Sequence, residues 1–398
     1  ELMKRKIAII IQKLNGGGAE RAASNLSILL GERYEVHTIV FDGTQMAYPI
    51  SGKVYDLGLP PAKTFMGKVK TALTRARMTK RVKKQQNITC SISLMDGANL
   101  VNVLSRSKDR ILISVRIQMS ASRFDKGGMR KKLQISFFRF LAKHAFRVIS
   151  LSKGVEDDLN HNFGIPREKL RTIYNPCDGE MLMRISREQH KDVETLPRHS
   201  MVTMGRLTEQ KGQWHLIRAM KRVVECVADA RLYIFGEGEM REELENLARE
   251  MGVAEQVIFK GYQKSPHVYI AGADAFVFPS LFEGLGNVLL EAMACGTACL
   301  ACDCPSGPRE ILAPDTQINP ELDAAEYAEY GVLTPVCGYG QRNATEPLTR
   351  EEALLAEGII RLLEDEPLRK AYEAKGLQRV RRFSPEAILR EWEKVIEA

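Results

Sequence analysis

Lys6-Ile-Ala-Ile-Ile-Ile-Gln12 is apolar and rich in β-branched residues, Asn15-Gly-Gly-Gly18 follows it, and Ala19-Glu-Arg-Ala-Ala-Ser-Asn-Leu-Ser-Ile-Leu-Leu30 has helical spacing. β-Branched side chains favour a pleated surface and glycine enters sharp turns at no steric cost, so the stretch reads as strand, glycine loop, helix. A second strand is expected at 35–41, and strand-like runs at 89–94, 111–115 and 147–151 alternate with helical patterns. Such alternation predicts a doubly wound parallel sheet in an α/β fold.

The pattern begins again after a polar stretch at 184–199 that lacks apolar periodicity. Met201-Val-Thr-Met-Gly205 reads as another first strand, with further strands at 231–235, 256–260, 275–279 and 297–301. Two Rossmann-like domains are therefore expected, over 1–190 and 195–383. Ser384 is a helix N-cap and Pro385 a first helical residue, so 384–398 is predicted as a terminal helix that packs back on the first domain.

The chain has 398 residues, 44% of them hydrophobic and 27% charged, as in a globular protein of two or three domains. No apolar run approaches the roughly 18 residues that a membrane-spanning helix needs. The basic residues before the first apolar run lead into only a short strand, which argues against a signal peptide. Eight cysteines are unevenly spaced, and reduced thiols are expected. Cys295, Cys299, Cys302 and Cys304 crowd too closely to surround a tetrahedral zinc ion easily, so they are expected to be small buried hydrophobes, with no metal. Residues 1–190 hold 34 Lys and Arg against 16 Asp and Glu, a formal charge of +18, while the remainder carries −10. The first half should seek something anionic.

Chemistry concentrates in the second half. In Phe278-Pro-Ser-Leu-Phe-Glu-Gly-Leu-Gly-Asn-Val-Leu-Leu-Glu291 a strand ends, Gly284 and Gly286 permit close backbone approach, and a helix starts near Asn287. Its free amides suit a diphosphate, with Leu285 and Val288 completing the segment. Glu283 stands in the loop within reach of sugar hydroxyls, and Glu291, one turn into the helix, suits a ribose diol. Gly205-Arg206-Leu-Thr-Glu-Gln-Lys211-Gly212 follows the second domain's first strand, where a guanidinium and an ammonium can neutralise two phosphates. Gly236 in Phe235-Gly-Glu-Gly238 leaves room for a base or ribose.

These segments, with Gly16-Gly-Gly-Ala-Glu-Arg21, Tyr174-Asn-Pro176 and Asp303-Cys-Pro-Ser-Gly-Pro-Arg-Glu-Ile-Leu312, resemble the retaining glycosyltransferases of family 4. The resemblance covers nearly the whole chain and is more specific in the second half. It implies the GT-B architecture, two Rossmann-like domains facing across a cleft. It is nearest to bacterial transferases that extend polyprenyl-diphosphate-linked oligosaccharides, including N-acetylgalactosaminyltransferases. It implies that Arg206 and Lys211 grip the donor diphosphate, Glu291 binds the ribose, Glu283 contacts the sugar, and Gly17 and Gly18 lie near the reacting carbon. The donor is expected to be a UDP-linked hexose or N-acetylhexosamine, with no other cofactor. Many relatives place a histidine where this chain has Arg116, which is expected to stabilise a donor or acceptor phosphate. Attack and departure on the same sugar face need electrostatic stabilisation of the diphosphate and exclusion of water as the domains close, and no metal, in keeping with the absence of an Asp-x-Asp triplet.

No acidic residue stands between Asp56 and Asp96, while Lys63, Lys68, Lys70, Arg75, Arg77, Lys80, Arg81, Lys83 and Lys84 accumulate. Phe65, Val69, Ala72, Leu73 and Ala76 fall on one helical face among them, and residues 130–143 mix cations and aromatics similarly. Segments 63–84 and 130–143 are expected to meet an anionic membrane from the cytoplasmic side and to favour a lipid diphosphate acceptor. No base-reading module accompanies the charge, so nucleic acid is not expected. Two other functions compete with this one. Asp42, 24 residues past Gly18, would suit a nicotinamide-dependent dehydrogenase, but the loop lacks Gly-x-Gly-x-x-Gly spacing. A nonenzymatic membrane scaffold sits poorly with intact Glu283, Glu291, Arg206 and Lys211.

Overall fold

The computed structural model describes residues 4–15, 18–120, 128–188, 194–318, 320–340 and 342–398. The chain forms two units, Glu1–Asn175 with Ile388–Ala398, and Pro176–Ala387. In unit 1 the order is β1 (Lys6–Ile11), α1 (Gly18–Gly31), β2 (Glu35–Val40), β3 (Lys53–Asp56), α2 (Phe65–Gln85), β4 (Cys90–Leu94), α3 (Asp96–Leu104), β5 (Arg110–Val115), α4 (Met129–His144), β6 (Arg147–Ser150), α5 (Lys153–His161) and β7 (Leu170–Thr172). These strands form a parallel sheet ordered β3-β2-β1-β4-β5-β6-β7. Both faces are covered, so β1 is apolar throughout rather than alternating. Ile7, Ile9 and Ile11 pack with Leu26 and Leu30 of α1, while Ala8 and Ile10 point the other way, toward Ala98 and Val101 of α3.

Unit 2 opens with α6 (Gly179–Arg187) and continues through β8 (Ser200–Met204), α7 (Gln213–Cys226), β9 (Arg231–Phe235), α8 (Arg241–Glu250), β10 (Val257–Gly261), α9 (Pro266–Ala271), β11 (Ala275–Phe278), α10 (Asn287–Ala294), β12 (Cys299–Cys302), α11 (Pro308–Leu312), β13 (Glu326–Tyr327), β14 (Val332–Thr334), α12 (Arg350–Glu364) and α13 (Glu366–Val380). Its sheet runs β10-β9-β8-β11-β12-β14-β13, parallel except for β13. The last helix, α14 (Pro385–Glu397), places Ile388, Leu389, Trp392, Val395 and Ile396 in the β1 core of unit 1.

The units divide at Asn175, ahead of the sequence boundary near 190, because α6 packs on α9 and α10 and buries Leu182. β3, β7, β13 and β14 escaped the sequence reading. All are two to four residues long, too short for a period-2 pattern, and β3 is an exposed edge strand.

Thr64 caps α2, its hydroxyl accepting from the Gly67 amide at 3.1 Å. The far end of α2 is pinned by Lys83, whose Nζ lies 2.8 Å from Asp109 Oδ2 with both side chains fully buried. Lys83 also donates to Asn102 Oδ1 at 2.7 Å, and Ser91 Oγ donates to Asp109 at 2.6 Å. Burial holds the Lys83 ammonium below its ordinary pKa. Burial acts to raise Asp109, but the charge and hydrogen bonds of Lys83, with those of Ser91, outweigh it and leave the carboxyl below its usual range. Removing one partner strands a buried charge. Lys83→Met should cost about 3–5 kcal/mol in urea unfolding of unit 1, and adding Asp109→Asn should restore most of it.

Candidate functional site

The order of unit 2 places its topological switch point between β8 and β11, where the chain leaves toward β9 on one side and β12 on the other. Connections diverge there and leave a crevice beyond the strand ends, where open α/β sheets take ligands. Gly205 and Arg206 directly follow β8, and Pro279 to Glu283 follow β11.

The two segments are bound tightly together. Gln210 Nε2 donates to the Phe282 carbonyl at 3.0 Å, and the Leu281 amide donates to the Gln210 carbonyl at 2.9 Å. At Gly212, φ is +63° and a Cβ would stand 2.3 Å from the Pro279 carbonyl oxygen. At Gly236, φ is +129° and a Cβ would stand 2.0 Å from the Gly205 carbonyl oxygen. Glycine at both positions lets the turns pack backbone against backbone.

Within this frame Lys211 Nζ lies 2.5 Å from Glu283 Oε1, with side-chain exposures of 17% and 9%. The ammonium also sits 5.4 Å from the centre of the Phe278 ring. Glu283 is therefore held beside Lys211 rather than free in a solvated loop. An ammonium has three N–H donors and a carboxylate two oxygens, so each group keeps capacity for a ligand after pairing. Arg206 is exposed and makes no ion pair with the described residues.

Gly286, at φ +82°, caps α10, and Gly284 and Leu285 before it are buried. Asn287 is exposed at the first position of the helix and Val288 is half-buried. Glu291 faces His267 of α9, Nε2 to Oε2 at 3.1 Å, with both side chains about 85% buried. Sequence reading missed His267, since no local spacing links it to a residue 24 positions on.

In Asp303–Leu312, Arg309 donates to Asp303 Oδ2 from Nε at 2.9 Å and from Nη2 at 2.7 Å, and to Glu326 Oε2 at 2.6 Å. This fork staples the turn before α11. Four polar side-chain atoms of unit 2, Thr208 Oγ1, Gln213 Oε1, Ser280 Oγ and Ser306 Oγ, are buried without a partner among the described residues. All four lie in the segments that carry Arg206, Lys211 and Glu283 or in the turn beside them. Buried polar atoms are rarely left unpaired in a folded protein, so each of these four asks for an explanation.

In unit 1 Arg116 follows β5, half-buried, and donates to Asn175 Oδ1. It has no carboxylate partner among the described residues, and burial lowers its pKa to about 10, so it stays cationic at neutral pH. Gly18 opens α1 in open space, while Gly17 lies outside the described residues. Asp42 accepts from the Thr44 hydroxyl at 2.8 Å and amide at 3.3 Å, closing a local turn. Cys299, Cys302 and Cys304 are buried free thiols and Cys295 is half-buried.

Lys211→Met would leave Glu283, 7% exposed, without its countercharge. Thermal or urea unfolding of unit 2 should lose about 3 kcal/mol, and adding Glu283→Gln should recover most of that loss.

Comparison with known proteins agrees with the fold. The family described as Glycosyltransferase Family 4 matches residues 16–180, and that described as Glycosyl transferases group 1 matches residues 186–330. An uncharacterized glycosyltransferase of Methanocaldococcus jannaschii is 35% identical over 278 residues, 68% of each chain. N-acetylgalactosamine-N,N'-diacetylbacillosaminyl-diphospho-undecaprenol 4-alpha-N-acetylgalactosaminyltransferase of Campylobacter jejuni is 28% identical over 393 residues, 97% of this chain and 98% of that one. Among solved structures, HepE of Anabaena in complex with UDP superposes with a TM-score of 0.75 over 99% of both chains at 17% identity. The dehydrogenase reading of Asp42 falls away: this chain belongs to the family 4 glycosyltransferases and has their GT-B fold of two Rossmann-like domains.

Proposed function

We propose that the chain moves a hexose or N-acetylhexosamine from a UDP-sugar to a saccharide carried on a polyprenyl diphosphate, with retention at the anomeric carbon. The observation that carries the donor half is the buried Lys211–Glu283 pair at the switch point of unit 2. Lys211 turns its remaining N–H donors to the diphosphate, and exposed Arg206 closes on the same charge. Glu283 accepts from a sugar hydroxyl through its second oxygen, and Glu291, steadied by His267, holds the ribose. The amides opening α10 face the diphosphate. These cations and amides stabilise the charge that grows on the leaving group, so the reaction needs no divalent metal.

The acceptor half rests on the charge and surface of unit 1, and on the lipid diphosphate named for the Campylobacter jejuni relative. On α2, Phe65 and Met66 are 78% and 75% exposed, with Val69 and Leu73 at 44%, beside exposed Lys68, Lys70 and Arg77. The sequence put Ala76 on that face, but it is buried, and Arg75 turns inward to the Leu59 carbonyl. On α4, Met129 and Leu133 are 73% and 63% exposed beside Arg130 and Lys132. Apolar side chains set among cations suit the cytoplasmic headgroup boundary of an anionic membrane. No described helix is long and apolar enough to cross it.

A thermal-shift screen of nucleotide sugars tests the donor. UDP-sugars should raise the transition, and Glu283→Gln should keep the shift given by UDP while losing the extra shift given by the sugar. Transfer should persist in EDTA. No shift with any nucleotide sugar would end the proposal. For the membrane, binding to phosphatidylglycerol vesicles should weaken with salt and fall at least tenfold in Lys68→Glu/Lys70→Glu/Arg77→Glu. Binding that ignores both lipid charge and salt would refute it.

A further inference from the structure

Ser306 carries a polar group that none of the described residues satisfies, in a backbone conformation its side chain disfavours. Its φ is +69°, in the left-handed region that non-glycine residues seldom enter. It is 4% exposed, and its Oγ has no hydrogen-bond partner among the described residues. Each feature costs stability, and such costs gather where function requires them.

The position explains the cost. Pro305 accepts from the Glu283 amide at 3.4 Å, and a Cβ on Gly307 would stand 2.1 Å from the Leu285 carbonyl oxygen. Ser306, between them, is therefore laid against the Glu283–Gly286 loop. The turn is rigid, because Arg309 clamps Asp303 on one side and α11 begins at Pro308 on the other. A glycine would fit the φ of +69° without strain, whereas serine keeps a hydroxyl there.

We propose that the Ser306 hydroxyl donates a hydrogen bond to an oxygen of the bound nucleotide diphosphate sugar, either on the diphosphate or on the sugar. This rests on the donor site proposed above and adds a residue to it. Ser306 is a donor-binding residue, and the bond supplies the partner that its hydroxyl lacks among the described residues.

The test uses the full chain with Ser306→Gly and Ser306→Ala, titrated with UDP, UDP-glucose and UDP-N-acetylgalactosamine while melting is followed separately. Ser306→Gly relieves both strain and orphaned hydroxyl, so it should melt at or above wild type. Ser306→Ala keeps the strain and removes only the hydroxyl. Both should bind donor about tenfold more weakly. Equal loss for UDP and the UDP-sugars assigns the bond to the diphosphate, and loss for the UDP-sugars alone assigns it to the sugar. Wild-type affinity for all three ligands in both variants overturns the proposal, as does weakened binding with a matching fall in melting temperature in both. If wild-type protein binds no UDP or UDP-sugar, the donor site itself is refuted, a failure distinct from unchanged variants of a protein that binds.

Discussion

An ammonium and a carboxylate 2.5 Å apart, with side chains only 17% and 9% exposed, must be held in place by the structure around them. Removing two charges from water costs several kcal/mol per ion, and their attraction repays this only in fixed geometry. Unit 2 supplies that geometry through backbone. Gly212 lies under the Pro279 carbonyl, Gly236 under the Gly205 carbonyl, and the hydrogen bonds of Gln210 join the two loops across the switch point. The glycines serve close packing of turns, and that packing sets Lys211 beside Glu283. The proposed function draws on what the pair leaves unused, two N–H donors and one carboxylate oxygen.

The two units divide the electrical work. The chain up to residue 190 has a formal charge of +18 and the rest −10, so the domain with exposed basic helices is also the one able to gather anionic partners at long range. Within unit 1 the cations are not equivalent. Lys83 is spent on Asp109 and Arg75 on the Leu59 carbonyl, whereas Lys68, Lys70 and Arg77 face outward among exposed apolar side chains. A charge count treats these residues alike, and burial separates them.

Much of the fold was legible because its signals are local. β1, the glycine loop and α1 show the change from strand to helix within one stretch, and Ser200–Met204 repeats the opening for unit 2. The terminal helix was read from Ser384 and Pro385, and its apolar stripe enters the unit 1 core. Contacts made through space were not legible. The unit boundary depends on α6 packing against α9 and α10, a preference that a polar stretch does not record. Glu283 and Lys211 were both chosen from sequence, yet their pairing across 72 positions was not. His267 lies in an unremarkable Ser-Pro-His helix start, and Ser306 in a motif whose charged residues turn out to brace the turn. Strain and an unsatisfied hydroxyl exist only in three dimensions.

The central claim is that the switch point of unit 2 is built for a diphosphate. Calorimetric titration of the protein with UMP and UDP tests it most directly, because the two ligands differ only by the phosphate that Lys211 and Arg206 are assigned to hold. UDP should bind about a hundredfold more tightly than UMP, the yield of one or two charge-assisted hydrogen bonds, and the charge-neutral pair Lys211→Met/Glu283→Gln should erase most of that difference. Equal affinity for UMP and UDP in the unaltered protein would contradict the account.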